Sequence, residues 1–126
     1  MLNRRGVSRV VLFISVLLVV LLGAGLSYAG SKIEEGRKIA TTRKLGNCVS
    51  CHFLPNIESP GNAGPNLVES MKNYTEADRD IVRQWIEDPR KFNPDTLMPP
   101  FGANKILTEE QIDAVVDYLY SLKGGK

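Results

Sequence analysis

The chain has 126 residues, 16 basic and 14 acidic, with one histidine and two cysteines. Two cysteines rule out a framework of several disulfides, and a chain this short makes one small domain with a modest apolar core. The near balance of charge, without a long basic run, gives nucleic-acid binding no compositional support.

Arg4, Arg5 and Arg9 precede an apolar run from Val10 to Leu22, and Gly23 to Ala29 ends in small residues of the kind a signal peptidase reads. Residues 1–29 therefore read as a secretory signal peptide cut after Ala29. The competing reading is an uncleaved N-terminal anchor, although the apolar run is shorter than the ~20 residues of a usual span. Cleavage leaves a domain over residues 30–126 with 13 basic groups against 14 acidic ones and no stable membrane span. It also predicts a periplasmic protein.

Ser31-Lys32-Ile33-Glu34 has the form of a capping box and predicts a helix to about Lys44, with Ile33, Gly36, Ile39 and Ala40 facing inward. Glycine inside a helix costs about 1 kcal/mol relative to alanine. Gly36 is thus either the site of a close helix crossing or a tolerated surface residue. Next comes Cys48-Val49-Ser50-Cys51-His52, followed by a turn-rich stretch from Phe53 to Pro65 with three prolines, two glycines and two asparagines. Thr75-Glu76-Ala77-Asp78 opens a second helix with Ile81, Val82, Trp85 and Ile86 as its apolar stripe, and Asp88-Pro89 ends it. Asn93-Pro94-Asp95-Thr96 is a turn leading into Leu97-Met98-Pro99-Pro100-Phe101-Gly102. Thr108-Glu109-Glu110-Gln111 caps a last helix with Ile112, Val115, Val116, Leu119 and Leu122 at helical spacing, ended by Gly124-Gly125. The expectation is an all-α domain of three main helices and long loops.

The C-x-x-C-H pattern at Cys48, Cys51 and His52 is that of covalent haem c attachment. Two sulfurs on one turn of chain reach two vinyl groups, and the next residue turns an imidazole beneath the iron. A zinc site would need a fourth ligand from a carboxylate or water, since His52 is the only histidine. A thiol-redox motif would need a βαβ setting, and no run here has strand alternation. With one histidine, the second axial ligand falls to a methionine. Met98, in a loop stiffened by Pro99 and Pro100, is the candidate, and Met71 reads as a gap-filling apolar residue. A His52/Met98 pair closes the iron and favours electron transfer over oxygen or peroxide chemistry. His52 needs an acceptor for its other ring nitrogen, which the Gly64-Pro65 bend could supply as a carbonyl. Trp85 could hydrogen-bond a haem propionate or serve as a core aromatic. Phe53, Leu54 and Ile57 read as cover for one haem face. Together with Phe101 they could instead form an apolar docking patch.

The order Cys48-Val49-Ser50-Cys51-His52, Gly64-Pro65-x-Leu67, Trp85-Ile86-x-Asp88-Pro89 and Met98-Pro99 resembles small class I cytochromes c. That resemblance implies the class I cytochrome c fold, with first and last helices crossing near Gly36 and Tyr118. It also implies axial His52 and Met98, Pro65 as carbonyl donor to His52, and Trp85 as a propionate contact. Gly46-Asn47-Cys48, Pro60-Gly61-Asn62-x-Gly64-Pro65, the Asn93–Gly102 run and Leu107-Thr108-Glu109-Glu110-Gln111-Ile112 are similar to the SoxX family, the small monohaem subunits of SoxXA complexes. Some members carry more sequence before the first helix, whereas here the helix is expected to start almost immediately after cleavage.

The SoxX resemblance implies a SoxA-type partner that holds the catalytic haem of an L-cysteine S-thiosulfotransferase. This chain would then be a non-catalytic electron acceptor that passes electrons to a soluble cytochrome or an oxidase. The alternative is a free-standing shuttle to a terminal oxidase. A third reading, ligand sensing, would require an open iron.

Overall fold

A computed structural model describes residues 30–124, together with Ile14 and Tyr28. Two compact units divide the chain, Met1–Ser31 and Lys32–Lys126. The signal-peptide reading falls, but for those two positions, outside the described residues. No helix among the described residues is long and apolar enough to cross a membrane.

The described residues form an all-α structure with the three expected main helices and one short additional one. They are α1 (residues 30–41), α2 (Leu67–Met71), α3 (Arg79–Glu87) and α4 (Glu109–Ser121), with 3₁₀ turns at Cys48–Ser50, Glu76–Asp78, Pro89–Lys91 and Leu122–Gly124. The additional helix is α2. Five residues are too few to carry a periodicity, and its signal in the sequence is a cap, with the Asn66 side chain accepting from the Glu69 N–H at 3.2 Å.

Two helix boundaries differ from expectation. Ser31 lies inside α1 and does not cap it; its hydroxyl turns back to donate to the Tyr28 carbonyl at 2.7 Å. The helix also stops at Thr41, short of Lys44. The other two boxes close. Thr75 N–H and hydroxyl both donate to one Asp78 carboxylate oxygen at 2.7 Å, and Thr108 and Gln111 bond reciprocally at 3.0 and 3.3 Å.

Gly36 is buried, and it marks a helix crossing. A Cβ added there would run into the Ala114 carbonyl oxygen of α4 and sit 2.9 Å from Tyr118 Cβ. Only a residue without a side chain lets the two backbones meet this closely. α4 also delivers Ile112, Val115, Val116, Leu119 and the following Leu122 to the core, where they meet Ile39, Ala40, Leu54, Met71, Val82 and Ile86. Ile81 and Trp85, read as part of the α3 stripe, lie outside this core: Ile81 is exposed and Trp85 half-buried.

α3 and α4 are joined on their polar sides as well. Arg79 pairs with Asp117, while Arg83 pairs with Asp113 at 2.9 Å and Glu109 at 3.7 Å, an antiparallel ladder of charges. Tyr120 ties α4 to the start of α3 by donating to the Thr75 carbonyl at 2.6 Å. Its ring lies under the Arg79 guanidinium, 4.7 Å from the centroid.

Two expected outcomes follow from these contacts. Gly36→Ala gains about 1 kcal/mol of helix propensity but forces a methyl onto backbone atoms, an overpacking that costs about 1–3 kcal/mol or more. The clash wins because a carbonyl cannot swing aside, so denaturant titration should show net destabilisation.

The second outcome concerns pH. The Thr75 backbone N–H, then its hydroxyl, hold the Asp78 carboxyl below its ordinary value. A depressed carboxyl stabilises the fold above the unfolded pKa of about 3.9 and loses that contribution as pH falls through the lower, folded value. Thermal unfolding across a pH series should therefore show wild type above Asp78→Ala at neutral pH. The gap should narrow below about pH 4.

Candidate haem-attachment site

The attachment turn begins where α1 runs out. The freed Ile39 and Thr42 carbonyls accept from Gly46 and Leu45, both at 3.0 Å, which folds the chain back at once. Asn47 then takes a left-handed conformation at φ 48°, which Asn tolerates better than most residues. The 3₁₀ turn Cys48–Ser50 follows, closed by Ser50 and His52 N–H groups donating to Asn47 and Cys48 carbonyls at 3.0 and 2.9 Å. Both thiols are free, with Cys48 half-buried and Cys51 exposed.

Burial pushes the Cys48 thiol up to about 11. A reactive first cysteine of a redox C-x-x-C pair has its pKa lowered, so this thiol has the opposite character. The zinc alternative meets a different obstacle. No group of three or more His, Cys, Asp or Glu side chains suited to a metal ion comes together among the described residues.

The segment after the turn lies back along it. Gly61 donates to the Val49 carbonyl at 2.8 Å, Gly64 to Cys51 at 2.8 Å, and Leu67 to Phe53 at 3.2 Å. Within this register the Pro65 carbonyl lies 2.8 Å from His52 Nδ1. A carbonyl can only accept, so Nδ1 carries the proton and Nε2 presents its lone pair.

Met98 sits on a separate loop, half-buried against the core, with its N–H bonded to the Thr96 hydroxyl at 3.1 Å. Asp88-Pro89 stops α3 and leaves its last carbonyls without helical partners. The Met98 loop supplies them: Phe101 donates to Ile86 at 3.2 Å, and Gly102 and Ala103 donate to Glu87 at 3.0 Å. Trp85 stacks on Phe92 with ring centroids 4.6 Å apart, and its indole N–H finds no acceptor among the described residues. Phe92 escapes sequence reasoning, since a lone aromatic beyond a helix stop carries no periodic signal.

These residues suit a covalent haem by their donor chemistry. Two thiols share one turn, an imidazole has its lone pair on Nε2, and the chain beside the ring is bare at Gly64. A Cβ there would lie 2.7 Å from Nδ1 and 2.9 Å from Nε2. Met98 offers a neutral thioether, whereas Met71, at 2% exposure, is committed to the core.

The apolar surface differs from the patch that the sequence suggests. Leu54 and Phe101 are core residues and Ile57 is half-buried, leaving Phe53 exposed at 41%. Leu97, which no sequence pattern marks as a surface residue, is 96% exposed. Phe53 directly follows His52 and Leu97 directly precedes Met98.

The profile of the cytochrome c family matches residues 33–123, and the chain belongs to that family. Membership carries with it a class I cytochrome c fold, covalent haem and an electron-transfer role. Among solved structures, a chain of SoxXA from P. pantotrophus superposes with a TM-score of 0.60 at 33% identity, covering 71% of this chain and 80% of that one. The likeness supports a SoxX-type cytochrome.

Curated relatives include cytochrome c oxidase subunit 2 of Bacillus sp. (strain PS3), 32% identical over 85 residues, covering 61% of this chain and 23% of that protein. An uncharacterized lipoprotein of Aquifex aeolicus (strain VF5) is 35% identical over 80 residues, covering 61% of this chain and 37% of that protein. The chain spans about a quarter of the length of the oxidase subunits it matches.

Proposed function

We propose that this chain is the electron-accepting monohaem subunit of a periplasmic, SoxXA-type thiosulfate-oxidising complex, exported by residues 1–29. The observation that carries the reading is the 33% identity and 0.60 TM-score to SoxXA. In this role it belongs to an L-cysteine S-thiosulfotransferase without performing the sulfur transfer, which falls to a SoxA-type partner. Electrons released there would pass through this chain to a soluble cytochrome or an oxidase.

A haem bound at this site supplies reversible one-electron storage on its iron. Cys48 and Cys51 tether it through thioethers, which leaves the chain without a free thiol for sulfur chemistry. His52 Nε2 and the Met98 thioether would ligate the iron and leave no position on it for water. The Pro65 carbonyl keeps the His52 proton on Nδ1, making the imidazole a better donor. Trp85 has an indole N–H available for a propionate. The exposed Phe53 and Leu97 flank the two ligands in sequence and are the apolar side chains a partner would cover.

Electron delivery to a terminal oxidase is a second reading, favoured by the likeness to cytochrome c oxidase subunit 2. Purification from the native host separates the two. A second cytochrome that co-purifies, with reduction of the pair by thiosulfate and carrier protein, supports the complex. A stable monomer that reduces oxidase and ignores a SoxA-type partner refutes it.

Two variants test the site. Met98→Ala should give a five-coordinate or water-ligated iron of lower potential. Met71→Ala should leave the potential unchanged while lowering stability by about 2–5 kcal/mol, as expected for a truncated core side chain. An unaltered potential in the Met98 variant refutes the ligand assignment. Phe53→Ser with Leu97→Ser should weaken partner binding at least about tenfold, read by titration, while leaving the haem spectrum unchanged.

A further inference from the structure

We infer that Gly64 is a positioning residue that sets the plane of the His52 imidazole and, through it, the potential of iron ligated by Nε2. The inference rests on the reading of His52 as the iron's imidazole ligand. It concerns what holds that ring in one orientation.

The backbone conformation does not require glycine here. The described residues with positive φ are Asn47, Asn56 and Lys105, and no described glycine is among them. Any L-residue could follow the chain at position 64. What excludes a side chain is the ring itself. A Cβ would be driven into Cε1 and would lie 2.7 Å from Nδ1 and 2.9 Å from Nε2, so the bare Cα backs the whole edge between the two nitrogens.

Neither side of this contact is free to retreat. Gly64 is held by its N–H on the Cys51 carbonyl at 2.8 Å, and three residues earlier Gly61 is held on Val49 at 2.8 Å. His52 is held by its own N–H on the Cys48 carbonyl at 2.9 Å. The remaining freedom of the imidazole is rotation about the Cα–Cβ bond and about its own bond to Cβ. The Nδ1–H bond to Pro65 at 2.8 Å draws the ring toward the segment, and the Gly64 Cα stops it there. One contact pulls and the other limits, and together they fix one plane.

A methyl at position 64 would therefore turn or tilt the ring and lengthen the bond to Pro65. A weaker bond makes the imidazole a poorer donor, which favours the ferrous state. Gly61 provides a contrast within the same segment. Its Cβ would meet the Ser50 carbonyl oxygen and lie 2.8 Å from Cys51 N, with no ring atom among its nearest contacts. Gly61→Ala strains the attachment turn without touching the imidazole, so it reports what a purely structural disturbance does.

The test compares exported holoprotein of wild type, Gly64→Ala and Gly61→Ala. Three quantities are read: ferric electron paramagnetic resonance, the reduced-to-oxidised ratio at a fixed poise, and exchange of the His52 Nδ1 proton by NMR. Gly64→Ala should move the g values, speed the exchange and raise the ratio by about threefold or more. Gly61→Ala should lower thermal stability and shift the three quantities less than Gly64→Ala does. Wild-type values for all three in folded Gly64→Ala would overturn the inference.

Should Gly64→Ala fail to mature, wild type decides. A dipolar contact between the Gly64 α protons and the His52 Cε1 proton supports the inference, and its absence overturns it. Loss of the haem reading looks different: wild type itself would then lack an imidazole-ligated iron.

Discussion

The contact between Gly36 and the Ala114 carbonyl is the constraint on which the rest depends. With backbones this close, α1 and α4 cannot slide past each other, and the direction in which α1 delivers the chain is set. Ile39 and Ala40 enter the core one turn further on, and the Ile39 carbonyl receives Gly46. The attachment turn thus starts from a fixed point. A looser crossing would leave Cys48, Cys51 and His52 on a hinge.

From that point the site is built largely by backbone hydrogen bonds. Residues 61–67 bond in register to residues 49–53, and the Met98 loop bonds to the end of α3. Few of these bonds depend on which side chain is present. They depend on where prolines stop a helix and where glycines allow the chain to come close. The side chains that matter chemically are carried on a scaffold whose own bonds are already satisfied, and no buried polar side-chain atom among the described residues lacks a partner.

Much of this architecture is legible in the amino-acid sequence. The Thr75 and Thr108 boxes, the α4 stripe and the C-x-x-C-H turn are local patterns in which every needed residue sits within a few positions. Ser31 misleads because a capping box is also compatible with a helix that has already begun, and only the preceding residues decide. α2 escapes because five residues show no period. Helical spacing alone leaves Gly36 undecided, since the reason for it lies on α4, nearly eighty positions away; the family resemblance supplies it by implying the crossing with Tyr118, where the structure places it. The same applies to the exposed surface. Leu54 and Phe101 are as apolar as Leu97, and only tertiary packing buries the first two and leaves the third in solvent.

The bonding of the Met98 loop has a consequence for motion. The N–H groups of Phe101, Gly102 and Ala103 serve as the C-terminal cap of α3, so loop and helix end share one set of hydrogen bonds. Neither can open alone. Lifting the loop exposes the Ile86 and Glu87 carbonyls, and fraying the helix releases the loop. The methionine side of the site therefore moves as one cooperative unit with α3, which the charge ladder fastens to α4.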